Sequence, residues 1–388
     1  MNRERFLDKL RGVVYGTAFG DALGAPVERM THEGILDFYG GPVTTVQVKW
    51  FKADLPAVDR LNRMRGYGIV TDDTLMTLSL MNVYCAVRRH IDAFDMATEF
   101  VKEIGYRPRY VPEFDRQALI LERLFYPEKH IFNRHALANC DPREGGMGNM
   151  VNCGAAMYIA PVGVVNPGRP RAAYNEAIDF AAGHQLSYGL EAAGVLAAAV
   201  AAAFTDGATL DTVLNAALSV AKDGTRNAIA TLLETAENLR QQREEKALVV
   251  HRLHEALLPY SPVGENFNRC EQRAGLPTAN YTPSRLFAIE ELPIALAYLS
   301  LWRDDPLQAI VDGVNSGRDA DSIGVMAGVI AGALHGSGIF ALSEISAVDQ
   351  KSRLSLDTCC DRFGEAALEI IANDRREAAA FAAAVQDL

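Results

Sequence analysis

The sequence predicts an all-α fold. Apolar residues recur at helical spacing along nearly the whole chain, strand signals are few, and the alternating strand and helix units of a parallel sheet are absent. With 388 residues, 49% hydrophobic and 22% charged, the chain can bury a large core. No low-complexity linker divides it, which predicts one domain over residues 1–388.

Taken in order, the spacing predicts helices over 5–23, 75–89, 93–104, 190–204, 210–221, 226–257, 289–302, 306–314, 323–334 and 354–385. In the first, Gly12, Gly16, Gly20 and Gly24 recur every four residues; Gly324, Gly328, Gly332 and Gly336 repeat the pattern late in the chain. That spacing lines glycines along one ridge of a helix. A helix-interior glycine costs about 1 kcal/mol relative to alanine, so each series predicts a close helix crossing that offsets the loss. The best strand signal is 43–51, after Gly40-Gly41-Pro42, but no partner strand is evident. The longest apolar run, 192–204, is too short to span a bilayer and reads as a buried helix. Segments 34–68, 141–171 and 261–284 are rich in Gly, Pro and Asn and predict long loops, which in compact domains tend to carry function.

The formal charge of −11 argues against a nucleic-acid partner. The first ten residues alternate charged and apolar side chains, without the pattern of a signal peptide, so the chain reads as cytoplasmic with no membrane partner. Its cysteines (Cys85, Cys140, Cys153, Cys270, Cys359 and Cys360) form no C-x-x-C pair and read as free thiols.

Two short clusters carry the chemistry: Thr71-Asp72-Asp73-Thr74 and Asp319-Ala320-Asp321-Ser322. Neighbouring carboxylates repel one another unless a cation sits between them, and hard divalent ions take such oxygen ligands. Each cluster alone fits a helix N-terminus, where a hydroxyl caps and acids complement the dipole. A cap needs only one side chain, however, and two clusters of the same design point to a shared ion. His184, just before a predicted helix, is a candidate contact for a ribose or phosphate. The glycines of 145–154 could present backbone N–H groups to phosphates.

The run from Gly16 to Glu28 (GTAFGDALGAPVE), the first cluster, and Asn315 to Gly324 (NSGRDADSIG) resemble, in that order, motifs of the ADP-ribosylglycohydrolase family, which includes dinitrogenase-reductase-activating glycohydrolases. Asn152-Cys153-Gly154-Ala155-Ala156-Met157 and Gly183-His184-Gln185 resemble its middle segments, so the likeness covers about residues 10–336. The resemblance implies a single-domain, orthogonal multi-helix bundle with two magnesium or manganese ions at the base of an ADP-ribose cleft. Thr71, Asp72 and Asp73 would ligate from one side and Asp319, Asp321 and Ser322 from the other. Asp321 and Glu28 are the implied catalytic residues, with Glu28 positioning water or gating the site. Asp21, Asn152, Gly154, His184 and Arg318 are the implied substrate contacts, although Asp21 fits a loop-holding role equally well.

The implied reaction is metal-assisted hydrolysis of a ribosyl glycosidic bond in an ADP-ribosyl or nucleoside-like compound. ADP-ribosylated protein is a further candidate substrate. The alternative is a non-catalytic nucleotide-binding or crystallin-like member of the family. This chain departs from the family pattern at Arg318, where glycine is common, at Ser322, where threonine is, and at Tyr158, where arginine is. Repelled by two cations, Arg318 is expected to face the cleft mouth and favour small glycosides over modified protein. A prenyl-diphosphate synthase would need a later aspartate where Met76 and Thr77 stand, and a haloacid-dehalogenase-type phosphatase a buried strand before Asp319.

Overall fold

The computed structural model describes residues 1–149, 153–260 and 288–386, and these are mostly helical. The helices that position the site are α1 (Arg3–Gly24), α2 (Asp72–Val87), α3 (Ser187–Ala203), α4 (Ala288–Leu301), α5 (Pro306–Asn315), α6 (Ala320–His335) and α7 (Leu356–Ala384). Only one small sheet occurs among the described residues, an antiparallel pairing of Arg109–Val111 with Arg116–Ala118.

The glycine ridges of α1 and α6 pack face to face. A Cβ added at Gly16 would lie 2.1 Å from the Gly328 carbonyl oxygen, and one at Gly20 would lie 2.1 Å from that of Gly324. At Gly12 the corresponding oxygen is that of Gly332, at 2.4 Å, and at Gly24 that of Ala320, also at 2.4 Å. Rising numbers in α1 meet falling numbers in α6, so the helices are antiparallel, with backbones nearer than any side chain would permit. The C-terminal end of α1 therefore abuts the N-terminal end of α6. The alanine-rich α3 is buried from Ala192 to Ala203 and packs on Pro170–Ala181, α4 and α6. No helix among the described residues is long and apolar enough to cross a membrane.

Several expectations need correction. Residues 226–257 form two helices, Asp223–Leu239 and Lys246–Leu257, because the break around Arg240–Gln242 offers no apolar residue to carry the buried face onward. Residues 43–51 form no strand; Lys49 makes only an isolated bridge to Gly66. Side chains from distant helices hold this segment instead: Asn315 Oδ1 accepts from Val43 N at 2.7 Å, and Glu344 accepts from Val46 N at 2.8 Å. The expected helix over 93–104 exists but contains a π turn at Met96–Phe100. Helices His32–Tyr39, Tyr126–Ala138, Pro170–Ala181 and Leu342–Ser352 escaped the periodicity reading, their apolar faces being short or interrupted by charge. The expected loop over 261–284 lies outside the described residues.

The seam leads to a direct expectation. Gly16→Leu and Gly328→Leu should each destabilise the protein by about 1–3 kcal/mol or more through overpacking. Gly338→Ala, where an added Cβ meets nothing within 4 Å, should be neutral. Urea unfolding of the three variants checks this; unchanged midpoints for both leucine variants would show that the seam tolerates separation.

Candidate functional site

The site begins with the first turn of α2. Thr71 is the N-cap, its hydroxyl accepting from Asp73 N at 3.4 Å. From α1, the Asp21 carboxylate accepts from Thr71 N at 2.9 Å, Thr74 N at 3.1 Å and the Thr74 hydroxyl at 2.5 Å. Asp21 therefore satisfies N–H groups that a helix start leaves orphaned, and Asp72 and Asp73 are not needed for capping. Its placement matches the loop-holding alternative.

At the start of α6, Asp319 sits at the N-cap position without making a capping bond. The preceding Gly317 and Arg318 both adopt left-handed φ values, 83° and 63°. Only glycine fits at 317, since a Cβ there would fall 2.3 Å from the Met30 carbonyl oxygen. Arg318 N donates to Met30 O at 3.1 Å and Arg29 N to Arg318 O at 2.8 Å, so the loop leaving α1 is stitched to the entry of α6.

The two clusters meet. The Ser322 hydroxyl donates to Asp73 Oδ1 at 3.1 Å, and donor atoms of Glu28, Asp319 and Asp321 lie within 4.8 Å of one another. Burial, then Glu28, pushes the Asp321 carboxyl up to about 6, and burial with Asp321 pushes Asp21 to about 7. Asp73 and Asp319 are raised well above the ordinary range by burial and by Asp321. These buried, mutually repelling oxygens fit hard divalent cations, whose charge would offset the repulsion.

A buried ionic chain flanks the acids, and no sequence pattern revealed it. Arg65 pairs with Glu28 and donates through Nε to Glu113 at 2.9 Å; Arg123 pairs with both Glu113 and Asp72. Burial would raise the carboxyls of Glu28 and Glu113, but the arginines outweigh it and hold each at about 2. Glu113 comes from the turn between the two short strands and Arg65 from the loop expected to be functional.

Two expected substrate contacts need correction. His184 is wholly buried, with Nδ1 2.8 Å from the Tyr158 hydroxyl and Nε2 3.7 Å from Glu128; burial lowers its pKa to about 3. It is a neutral core residue, and Tyr158 is buried beside it. Arg318 is 2% exposed and donates to buried Glu290 at 2.7 Å, because a buried carboxylate opposite outweighs the attraction of the cleft mouth. Gly154 is buried near the clusters, next to Ala155, whose N–H donates to Gln185 at 2.9 Å. Asn152 lies outside the described residues.

Glu113, fully buried between two guanidinium groups, supports a further expectation. Glu113→Leu should cost about 3–5 kcal/mol by leaving buried charge uncompensated. Because folding depresses the Glu113 and Glu28 carboxyls from 4.5 to about 2, their contribution is present above pH 4.5 and is lost as pH falls through about 2. Glu113→Gln should therefore lower Tm at neutral pH and make the acid limb shallower. Parallel limbs in thermal melts from pH 5 to 2 would contradict the linkage.

The family model described as ADP-ribosylglycohydrolase matches residues 2–375. The uncharacterized protein YegU of Escherichia coli (strain K12) is 25% identical over 354 residues, which span 90% of this chain and 92% of that one. A solved structure titled "ADP-ribosylglycohydrolase-related protein complex" superposes with a TM-score of 0.59 at 20% identity, covering 94% of this chain and 99% of its own; the likeness is one of fold. With the family model spanning almost its whole length, the chain belongs to the ADP-ribosylglycohydrolase family of glycosidic-bond hydrolases.

Proposed function

We propose that this glycohydrolase cleaves a ribosyl glycosidic bond in an ADP-ribosyl or nucleoside-like compound. Thr71, Asp72, Asp73, Asp319, Asp321 and Ser322 would hold two magnesium or manganese ions. The observation that carries the reading is the 3.1 Å bond from Ser322 to Asp73, which joins the first turns of α2 and α6 and gathers both acidic clusters. Bound there, such ions would supply Lewis acidity and a water of lowered pKa.

The protein's own residues set the stage. Asp21 satisfies the start of α2, so neither Asp72 nor Asp73 is needed as a cap there. Glu28, held at about 2 chiefly by Arg65 against the effect of burial, is a fixed negative charge near Asp319 and Asp321. Such a charge suits the oxocarbenium-like character that grows on the ribose as the leaving group departs. A carboxylate this weakly basic is a poor proton acceptor at neutral pH. Of the two implied catalytic carboxylates, Asp321, raised to about 6 by burial and Glu28, is the better acceptor for the proton of the attacking water.

One observation favours a second reading. Asp72 is paired with Arg123 and Glu28 with Arg65, as would suit a family member kept for binding rather than turnover. A screen of small N- and O-ribosides beside ADP-ribosylated protein, with magnesium or manganese, distinguishes the two. The expected result is metal-dependent turnover by the wild type, lost in Asp73→Asn and Asp321→Asn, with calorimetric metal binding weakened and the circular-dichroism melt retained. Metal binding without turnover of any substrate would favour the second reading. Full turnover by both variants would end the metal assignment.

A further inference from the structure

Beside the acidic clusters stands a set of donors of different chemistry. Cys153 Sγ lies 3.4 Å from Asp319 Oδ2 and 3.1 Å from the Ser322 hydroxyl, and donor atoms of Cys153, Glu291 and Asp319 all fall within 4.8 Å of one another. Each of these three residues is buried. Glu291, in the first turn of α4, is 1% exposed, and among the described residues neither of its carboxylate oxygens has a hydrogen-bond partner. A buried carboxylate with both oxygens unsatisfied is costly, and a structure that retains one calls for an explanation.

We propose that Cys153, Glu291 and Asp319, with Ser322 as a neighbouring donor, form a subsite for a thiophilic divalent cation such as zinc. Sulfur decides the class of ion: magnesium and calcium take oxygen donors, whereas a thiolate with carboxylates suits zinc or cobalt. Zinc bonds of about 2.0 Å to oxygen and about 2.3 Å to sulfur place tetrahedral neighbours about 3.5 Å apart. The observed 3.4 Å between Cys153 and Asp319 already meets that spacing, and Glu291 offers an oxygen within 4.8 Å of both. On binding, the thiol gives its proton to solvent and the thiolate bonds the ion. The missing C-x-x-C signature explains why the sequence reading left Cys153 among the free thiols: this site draws one donor from each of three distant segments. The subsite shares Asp319 and its neighbour Ser322 with the proposed oxygen-ligand site but does not depend on the occupancy of that site.

The test is a titration of the chelator-treated, full-length protein with Co2+ alone, followed by its thiolate-to-cobalt charge-transfer absorption. The wild type should show the band, Zn2+ should displace it, and Cys153→Ser should abolish it. The isosteric Glu291→Gln should weaken Co2+ binding about tenfold or more. Asp73→Asn, which alters a carboxylate outside the Cys153, Glu291 and Asp319 group, should keep the band even where it abolishes turnover, so the two proposals can fail separately. The subsite is overturned by a wild type without the band, by a band that survives Cys153→Ser, by undiminished affinity in Glu291→Gln, or by loss of the band in Asp73→Asn.

Discussion

The close antiparallel contact between α1 and α6 is the constraint from which the site follows. Carbonyl oxygens of one helix stand where side chains would begin on the other, so neither helix can slide or rotate without a clash. Gly24 meets Ala320 and Asp321, which fixes the end of α1 against the start of α6. Asp21, one turn before that end, reaches the first turn of α2, and Glu28, just beyond it, stands near Asp319 and Asp321. Segments separated by some three hundred residues thus meet without relying on flexible loops.

Charge is then divided between two kinds of carboxylate. Glu28, Asp72 and Glu113 have arginine partners, and in Glu28 and Glu113 the guanidinium groups overcome burial and depress the pKa. Asp73, Asp319 and Asp321 have no direct arginine partner among the described residues, and burial and repulsion from neighbouring carboxylates act together to raise them. A protein that needed the acids only for folding would have gained from pairing both groups. Leaving the second group uncompensated is the arrangement expected where cations belong.

Much of this was legible in the sequence because it rests on local pattern. The four-residue glycine spacing announced a close crossing, and the paired Asp-rich clusters announced a meeting place, since each needs only a few consecutive residues to be recognised. Arg65, Glu113 and Arg123 were not legible; they come from a loop, a turn between short strands and a short helix, and no period links them. Glu291 was hidden at the start of a mostly apolar helical run, where a pair of glutamates looks like the ordinary acidic first turn. Arg318 and His184 were misplaced because sequence identifies a residue as adjacent to a motif without showing which way its side chain turns. In both cases a buried partner, Glu290 or Tyr158, decided the direction.

The α1–α6 seam brings the two acidic clusters together, and the proposal that they hold divalent ions is open to direct test. Anomalous diffraction from crystals grown with manganese tests it most directly. Anomalous density should touch carboxylates of both clusters, Asp73 from α2 and Asp321 from α6. Manganese bound to one cluster alone, or no density between the helix starts at saturating metal, would contradict it.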